Sequence, residues 1–180
     1  MATRPFDRRS VLAPLGLLLG LFVAGCGDVA TNLGPSASNP LDAEESALIS
    51  ALNKLRADAG IAAPVLVCAS LNVSASAHAD DMRDNVYLSD TGQDKSTPRT
   101  RGCAAGYKPA CDDTSTAMAE VVASGIVTGA ETLPQWEKDE MTKALLVNPT
   151  LSVVGLGRAL QGDVPVWAMD LAAKDDASCH

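Results

Sequence analysis

The chain has 180 residues, of which 47% are hydrophobic, and its formal net charge is −8 at pH 7. This length suits one domain with a full hydrophobic core, and an acidic chain without a basic run is a poor binder of nucleic acid phosphates. The same charge argues against adsorption of the folded part on an anionic bilayer.

The N-terminus has the layout of an export signal. Its positive region contains Arg4, Arg8 and Arg9. The apolar stretch that follows, residues 11–24, is shorter than the roughly 20 residues that a transmembrane helix needs. The pair Arg8-Arg9 also loosely resembles a twin-arginine signal, so export through either the general or the twin-arginine route fits this pattern.

The apolar stretch ends in the sequence VAGC at residues 23–26. This ending matches the lipoprotein box of bacteria, in which the signal is removed before a cysteine that carries a lipid. We therefore expect a signal peptide over residues 1–25 and a membrane anchor at Cys26, in either membrane of the cell envelope. An ordinary cleaved signal beside a coincidental cysteine is the alternative.

The composition changes twice after this cysteine. Residues 27–39 are rich in Gly, Ser, Asn and Pro without periodicity, so we expect residues 26–40 to be the lipidated cysteine and a flexible tether. Hydrophobic periodicity then begins and continues nearly to the end of the chain. We assign residues 41–180 to one folded domain.

Four further cysteines indicate disulfide bonds. They are Cys68, Cys103, Cys111 and Cys179. An even count in an exported chain suggests two bonds, for which three connectivities exist. Cys103 and Cys111 lie in one loop, which favours their pairing and leaves Cys68 for Cys179. A metal site is a poor alternative, because no C-x-x-C spacing occurs and the adjacent His180 lies at an end expected to fray.

The first predicted helix follows the tether. Asn39 is a plausible N-cap, Pro40 suits the first helical position, and Gly60 marks the end. Asn53 and Arg56 share one face of this helix, where they can anchor neighbouring backbone.

The second predicted helix has the clearest apolar stripe and ends near Asn85. The stripe consists of Leu71, Ala75, His78, Met82 and Val86. A histidine on such a stripe is usually packed in the core, and a pocket residue is the alternative. Residues 89–92 then form a turn.

The remaining elements are a loop, a helical region and a hairpin. Residues 89–111 form a long polar loop, which is usually functional or pinned in a compact domain. A helical region over residues 132–146 follows. Two predicted strands, residues 152–160 and 164–171, flank a turn at residues 161–163 and form a hairpin. Alternation along VPVWAMDLA in the second strand indicates one buried face.

Five blocks in order resemble the CAP family, which comprises cysteine-rich secretory, antigen 5 and pathogenesis-related proteins. The blocks are Leu52-Asn53-x-x-Arg56, the His78-Ala79 helix with its loop through Thr91-Gly92, Ala119-Glu120-Val121-Val122-Ala123, Trp136 to Pro149, and Gly155-Leu156-Gly157. The resemblance implies an α+β fold over roughly residues 41–171. This fold is an α/β/α sandwich with a small antiparallel sheet.

The resemblance also implies a pocket at Asp90, Glu120, Asp139 and Thr142. Asp90 and Thr142 replace the two histidines that the family usually has. Because all four side chains offer oxygen and none offers imidazole, we expect no cofactor, no tight zinc site, and at most weak calcium or magnesium binding at Asp90, Glu120 and Asp139. A degenerate pocket that binds no metal is the alternative.

The function that the resemblance favours is a non-catalytic binding module for a small ligand, a lipid or an envelope partner. A degenerate hydrolase and a purely structural envelope protein are the alternatives. Asp90-Thr91-Gly92 has the letters of the aspartic protease triplet, but it occurs once, and that chemistry needs two such aspartates. The motif G-x-S-x-G is absent, and only His78 and His180 could serve a serine triad. We therefore expect no enzyme activity.

Overall fold

The structure, a computed structural model, describes residues 40–180. The predicted signal peptide, the lipidation site Cys26, the proposed cap Asn39 and all but the last residue of the tether lie outside the described residues. The secondary structure elements of the described part are α1 (Ala43–Asp58), β1 (Leu66–Val67), α2 (Ala69–Asn85), α3 (Pro98–Ala104), α4 (Lys108–Asp112), β2 (Met118–Ser124), α5 (Gly129–Trp136), α6 (Glu140–Leu146), β3 (Val153–Gln161) and β4 (Val164–Ala172).

The strands form one sheet in the order β1-β3-β4-β2. The pairs β3–β4 and β4–β2 are antiparallel, whereas β1 runs parallel to β3. The sheet is therefore mixed rather than purely antiparallel, because the chain enters β1 between two helices and not through a hairpin. The predicted α+β class and the α/β/α sandwich are confirmed.

Alternation along the strands gives the sheet two buried faces. One face packs with α1 and α5 in the main core, to which it contributes Val121, Leu156, Trp167, Met169 and Leu171. The other face packs against α2 and is built from small residues and a few polar ones. The candidate site lies on this second face.

Two glycines allow α2 to lie directly on the sheet. A Cβ on Gly155 would lie 2.1 Å from the backbone carbonyl carbon of Leu71, and one on Gly157 would lie 2.2 Å from the backbone nitrogen of Ser76. A Cβ atom cannot lie this close to backbone atoms, so only glycine fits at either position. The glycines therefore set the depth of α2, and with it the position of every side chain that α2 turns toward the sheet.

The first helix is anchored as its sequence predicts. Arg56 is buried and donates from Nη1 to the carbonyls of Leu146 (3.0 Å) and Asn148 (3.1 Å), and Asn53 accepts from the backbone N–H of Val65. The N-cap differs from the expectation. Asp42 forms a capping box with Glu45, so helix α1 begins three residues after the position expected from Pro40.

Helix α2 buries the predicted stripe except at its end. Leu71, Ala75, His78 and Met82 are buried, but Val86 is 75% exposed. Val86 adopts a left-handed conformation with φ 54°, which ends the helix and turns its side chain away from the core. The stripe stops one turn earlier than periodicity suggests.

The long polar loop contains two short helices. Thr97 caps α3 in a capping box with Thr100, and Pro98 occupies the first helical position. The predicted helical region at residues 132–146 is likewise divided, because α5 ends at Trp136 and Asp139 starts α6 as a new cap.

The structure has the two disulfides Cys68–Cys179 and Cys103–Cys111, the pairing that loop placement favours. The C-terminal end is not frayed, because the backbone of His180 pairs with Val67 in both directions. Within residues 40–180, no helix combines the length and the apolar character that a membrane crossing requires.

Candidate functional site

Glu120 lies at the centre of a buried polar group beneath α2. It sits on strand β2 with its side chain on the α2 face of the sheet, and it is 6% exposed. Its neighbours Val121 and Ala123 turn the other way into the main core, so the alternation of the strand fixes the direction of the carboxylate.

Arg101 forms an ion pair with Glu120. Its Nη2 lies 2.7 Å from Glu120 Oε2, and the same nitrogen donates to the carbonyl oxygen of Asp90 at 2.8 Å. Its Nη1 donates to the carbonyl oxygen of Ser96 at 3.1 Å. The Arg101 guanidinium therefore joins Glu120 of the sheet to both ends of residues 90–96, the segment that precedes α3.

His78 approaches the same carboxylate oxygen from α2. Its Nε2 lies 2.8 Å from the carbonyl oxygen of Ser89 and 3.4 Å from Glu120 Oε2. A carbonyl can only accept, so Nε2 carries the hydrogen in this arrangement. Burial, together with the nearby Arg101 charge, lowers the pKa of His78, which keeps the ring neutral around pH 7.

Asp170 completes the group from strand β4, directly opposite Glu120 in the antiparallel register. It is fully buried. Within residues 40–180, no hydrogen bond of normal geometry reaches either oxygen of Asp170 or Oε1 of Glu120. Two carboxyl groups are thus cross-strand neighbours on the α2 face of the sheet, and Arg101 contacts that of Glu120.

The pKa values of both carboxyl groups are raised. Burial is the main cause for Glu120, and the negative charge of Asp170 adds to it, while Arg101 acts against both. Burial also raises the pKa of Asp170, against the lowering effects of the Ser74 hydroxyl and Arg101. Two buried negative charges beside one positive charge are unfavourable, so the pair retains a proton at neutral pH.

An open cavity of about 720 Å³ lies above this buried group, between α2, α3 and the segment of residues 89–96, which we call the 89–96 segment. His78 and Arg101 form part of its lining. The remaining polar lining comes from Asp81, Asn85, Gln93, Asp94, Lys95, Ser96 and Thr100. We call this space the α2–α3 cavity.

Comparison with known proteins decides the family. Residues 49–171 match the sequence profile of the cysteine-rich secretory protein family, whose short name is CAP. The chain belongs to the CAP family. No curated protein sequence matches the chain significantly.

Several solved structures share the fold. An outer surface protein of Borrelia burgdorferi is 19% identical with a TM-score of 0.62, and the match covers 75% of this chain and 97% of that one. An extracellular protein with an SCP domain from Bacillus anthracis is 18% identical (TM-score 0.58), covering 76% of this chain and 45% of that one. Venom allergen-like protein 4 of Schistosoma mansoni is 12% identical (TM-score 0.54), covering 76% and 92%. These identities show the CAP fold alone.

The four residues that match the CAP pocket do not line one cavity here. Glu120 lies below the α2–α3 cavity, and the exposed Asp90 contributes its carbonyl oxygen to Arg101. Asp139 and Thr142 lie in a separate cleft beside Trp136, where the Asp139 carboxylate caps α6 by accepting from the Thr142 N–H at 2.8 Å. A ligand-binding role for these four residues stays a prediction.

The donor set does not fit a metal ion. Within residues 40–180, no group of three or more His, Cys, Asp or Glu side chains is placed to hold one. The physical reasons are that Arg101 neutralises Glu120 and that Asp139 is used as a helix cap. The weak calcium or magnesium site considered for Asp90, Glu120 and Asp139 therefore has no counterpart in this arrangement, and zinc lacks its imidazole ligands.

The sequence gives little sign of Asp170, and it shows where His78 lies but not what His78 contacts. The signal for Asp170 was a single acidic residue inside the apolar run VPVWAMDLA, at a position that alternation places on a covered face. For His78 the signal was its place on the stripe of α2. That placement was recognised, but the carboxylate it meets lies 42 positions further along the chain.

Proposed function

We propose that this chain is an exported, lipid-anchored CAP domain that binds a small polar ligand in the α2–α3 cavity without catalysing a reaction on it. The observation that carries the proposal is the cavity itself. Its volume of about 720 Å³ falls in the range of roughly 300–1,000 Å³ typical of small-molecule sites. Below it, Glu120 contacts the two lining residues His78 and Arg101, and these contacts hold both side chains in position.

The lining favours a polar ligand over a lipid. The side chains around the α2–α3 cavity present both donors and acceptors, among them Asn85, Gln93 and Thr100. A more apolar groove between α2 and α3, lined by Val73, Ala104 and others, has a volume of only about 260 Å³, which is small for an acyl chain. Lipid binding is therefore the second outcome of the test below.

The contacts of the ionisable groups support binding rather than catalysis. All four cysteines within residues 40–180 are in disulfides, so none offers a thiolate. His78 donates to a carbonyl rather than facing a hydroxyl nucleophile, and the carboxylate of Glu120 is engaged by Arg101. A nucleophile activated by an adjacent base, which covalent hydrolases require, has no match among these contacts.

A blocking variant tests the site. Ala104 is an exposed residue of α3 at the cavity wall, so Ala104→Trp fills the cavity without removing a polar contact. Ala130→Trp adds the same side chain at an exposed position of α5 and is the matched control. Saturation-transfer NMR with amino acids, dipeptides, sugars and hydroxy acids, and separately with fatty acids, provides the measurement.

We expect at least one polar compound to bind the parent chain and Ala130→Trp, and to bind Ala104→Trp at least about tenfold more weakly. Binding of fatty acids alone would favour a lipid carrier. Binding that Ala104→Trp leaves unchanged would place the site elsewhere and contradict the proposal.

The export and anchoring part of the proposal rests on the sequence VAGC at residues 23–26. The descriptions of two structural relatives, an outer surface protein and an extracellular protein, support export. Metabolic labelling with a fatty-acid analogue tests the anchor. Cys26→Ser should abolish the label and leave an unprocessed or unlipidated chain, whereas label that persists in this variant would contradict the assignment.

A further inference from the structure

The 89–96 segment makes its own turn and has few attachments to the rest of the domain. The N–H of Gly92 donates to the carbonyl of Ser96 at 2.9 Å, and the N–H of Lys95 donates to the carbonyl of Gly92 at 2.9 Å. Lys95 has a left-handed conformation with φ 70°. The side chains between these bonds are largely exposed, so burial does little to hold the segment in place.

Two side chains from outside hold the backbone of this segment. His78 binds the carbonyl oxygen of Ser89, and Arg101 binds those of Asp90 and Ser96. Both side chains also contact one atom, Oε2 of Glu120, at 3.4 Å for His78 and 2.7 Å for Arg101. One buried carboxylate therefore lies behind the attachments at both ends of the segment.

We propose that Arg101 and Glu120 form a clasp that holds the 89–96 segment in place as the outer wall of the α2–α3 cavity. In this arrangement Glu120 does not contact the ligand. It is a positioning residue that acts from below the cavity through Arg101, and His78 strengthens the hold at the Ser89 end. Opening the clasp frees the segment while the sheet and α2 stay folded.

The geometry explains why arginine is needed for this role. A guanidinium offers donors in fixed, divergent directions, so Arg101 can bind a carboxylate and two backbone carbonyls at once. A lysine ammonium at the end of a flexible chain has one nitrogen and cannot span these acceptors. The partners of Arg101 in the segment are backbone oxygens, so the side chain of Asp90 can change without breaking the clasp.

Hydrogen–deuterium exchange of the full chain tests the clasp, with mass spectrometric readout over residues 89–97. Arg101→Gln and Arg101→Lys should both raise the exchange rates of the Gly92 and Lys95 amides, by about ten- to a hundredfold for Gln, since charge-assisted hydrogen bonds are lost. Asp90→Asn is the matched control and should leave these rates unchanged. Tryptic cleavage after Lys95 should be faster in Arg101→Gln and Arg101→Lys than in the parent chain.

A structural role in the whole domain would give a different result. The clasp predicts that amides of β3 and β4 keep their protection in Arg101→Gln. Exchange rates that rise throughout the domain would overturn it. Rates in the 89–96 segment equal to those of the parent chain would also overturn it. If Arg101→Gln does not fold, Glu120→Gln replaces it with the same expectation. Failure of both variants to fold would also overturn the proposal, which confines the effect to one segment.

The clasp rests on the proposed function only in its consequence for binding. Exchange is measured without ligand, so the clasp and the ligand site can fail separately. If the α2–α3 cavity is the binding site, Arg101→Gln should weaken binding of the polar compound found with the parent chain at least about tenfold. If exchange confirms the clasp but Arg101→Gln leaves binding unchanged, the proposed ligand site is wrong and the clasp still stands.

Discussion

A buried carboxyl group without a cation of its own makes folding depend on pH, and Asp170 is such a group. Its pKa and that of Glu120 are raised in the folded chain, chiefly by burial. The folded chain then binds more protons than the unfolded chain, so the free energy of unfolding falls as pH rises. This contribution is complete below the unfolded pKa values, at about 4, and is lost as pH rises through the folded ones.

His78 acts in the opposite direction. Because its pKa is lowered in the folded chain, its contribution is complete above the unfolded pKa of about 6.5 and is lost as pH falls through the folded one. Above about pH 7 the imidazole is mostly neutral in both states. In that range the carboxyl pair contributes most of the change in stability among these three groups.

We therefore predict that the free energy of unfolding falls between pH 7 and 8.5, by up to about 1.4 kcal/mol per pH unit for one retained proton. Asp170→Asn removes one member of the pair, so the slope should become clearly smaller. Urea unfolding at several pH values measures both slopes. Asp139→Asn, at an exposed cap, is the control, and an Asp170→Asn slope equal to that of the parent would show that the pair shares no proton.

Residue-scale features could be predicted only where they depend on neighbours in sequence. The face shared by Asn53 and Arg56 follows from helix periodicity, and both side chains bind backbone as expected. The partners of Glu120 come from α2, α3 and β4. Their meeting depends on strand register and on the depth of α2, which no local pattern contains.

At the scale of elements, the contact of α2 with the sheet determines where the site residues lie. Gly155 and Gly157 allow this contact, and the site residue His78 projects from the same helix. Any added volume under α2 must move the helix or bend the strand. The site and the stability of the fold therefore depend on the same close approach.

We predict that Gly155→Ala destabilises the chain by at least about 1–3 kcal/mol, the usual range for overpacking, because its Cβ would meet backbone that cannot rotate away. Gly102→Ala is the control. There the added Cβ would lie 3.1 Å from the end of the flexible Met118 side chain, so we expect a small change. Thermal unfolding compares the two, and equal effects would contradict the close approach of α2.

Elements with long, regular patterns were predicted, and short ones were not. Helix α2 and the β3–β4 hairpin follow from their periodicity, whereas residues 119–123 of β2 are recognisable only as a block that resembles the family, with no secondary structure predicted for them. An apolar run as short as residues 119–123 fits a strand or a helix equally well. Helix α3 depends on its Thr97 cap, and a disulfide joins it to α4, in a polar stretch where hydrophobic periodicity gives no signal.

At the scale of the whole molecule, the two disulfides close loops of very different size. Cys68–Cys179 joins residues separated by 111 positions and ties the start of α2 to the C-terminal end. Cys103–Cys111 spans 8 positions and ties α3 to α4. The long loop includes nearly all of the sheet, so its closure restricts far more of the unfolded chain.

We predict that the double variant Cys68→Ser/Cys179→Ser loses about 5 kcal/mol and the double variant Cys103→Ser/Cys111→Ser about 2.5 kcal/mol, from loop entropy. Both variants should melt below the parent chain, and the first should melt lower. Differential scanning calorimetry under oxidising conditions provides the comparison. Melting that neither variant changes would contradict a stabilising role for the bonds.

The central claim is that the α2–α3 cavity binds a small polar ligand, and mapping of amide chemical shifts tests it most directly. The ¹⁵N-labelled chain would be titrated with the same polar compounds and fatty acids. The account predicts saturable shifts at the amides around the cavity, including Ala77, Asp81, Gln93 and Ala104. Shifts confined to the cleft of Asp139 and Thr142, or no saturable shifts with any compound, would contradict it.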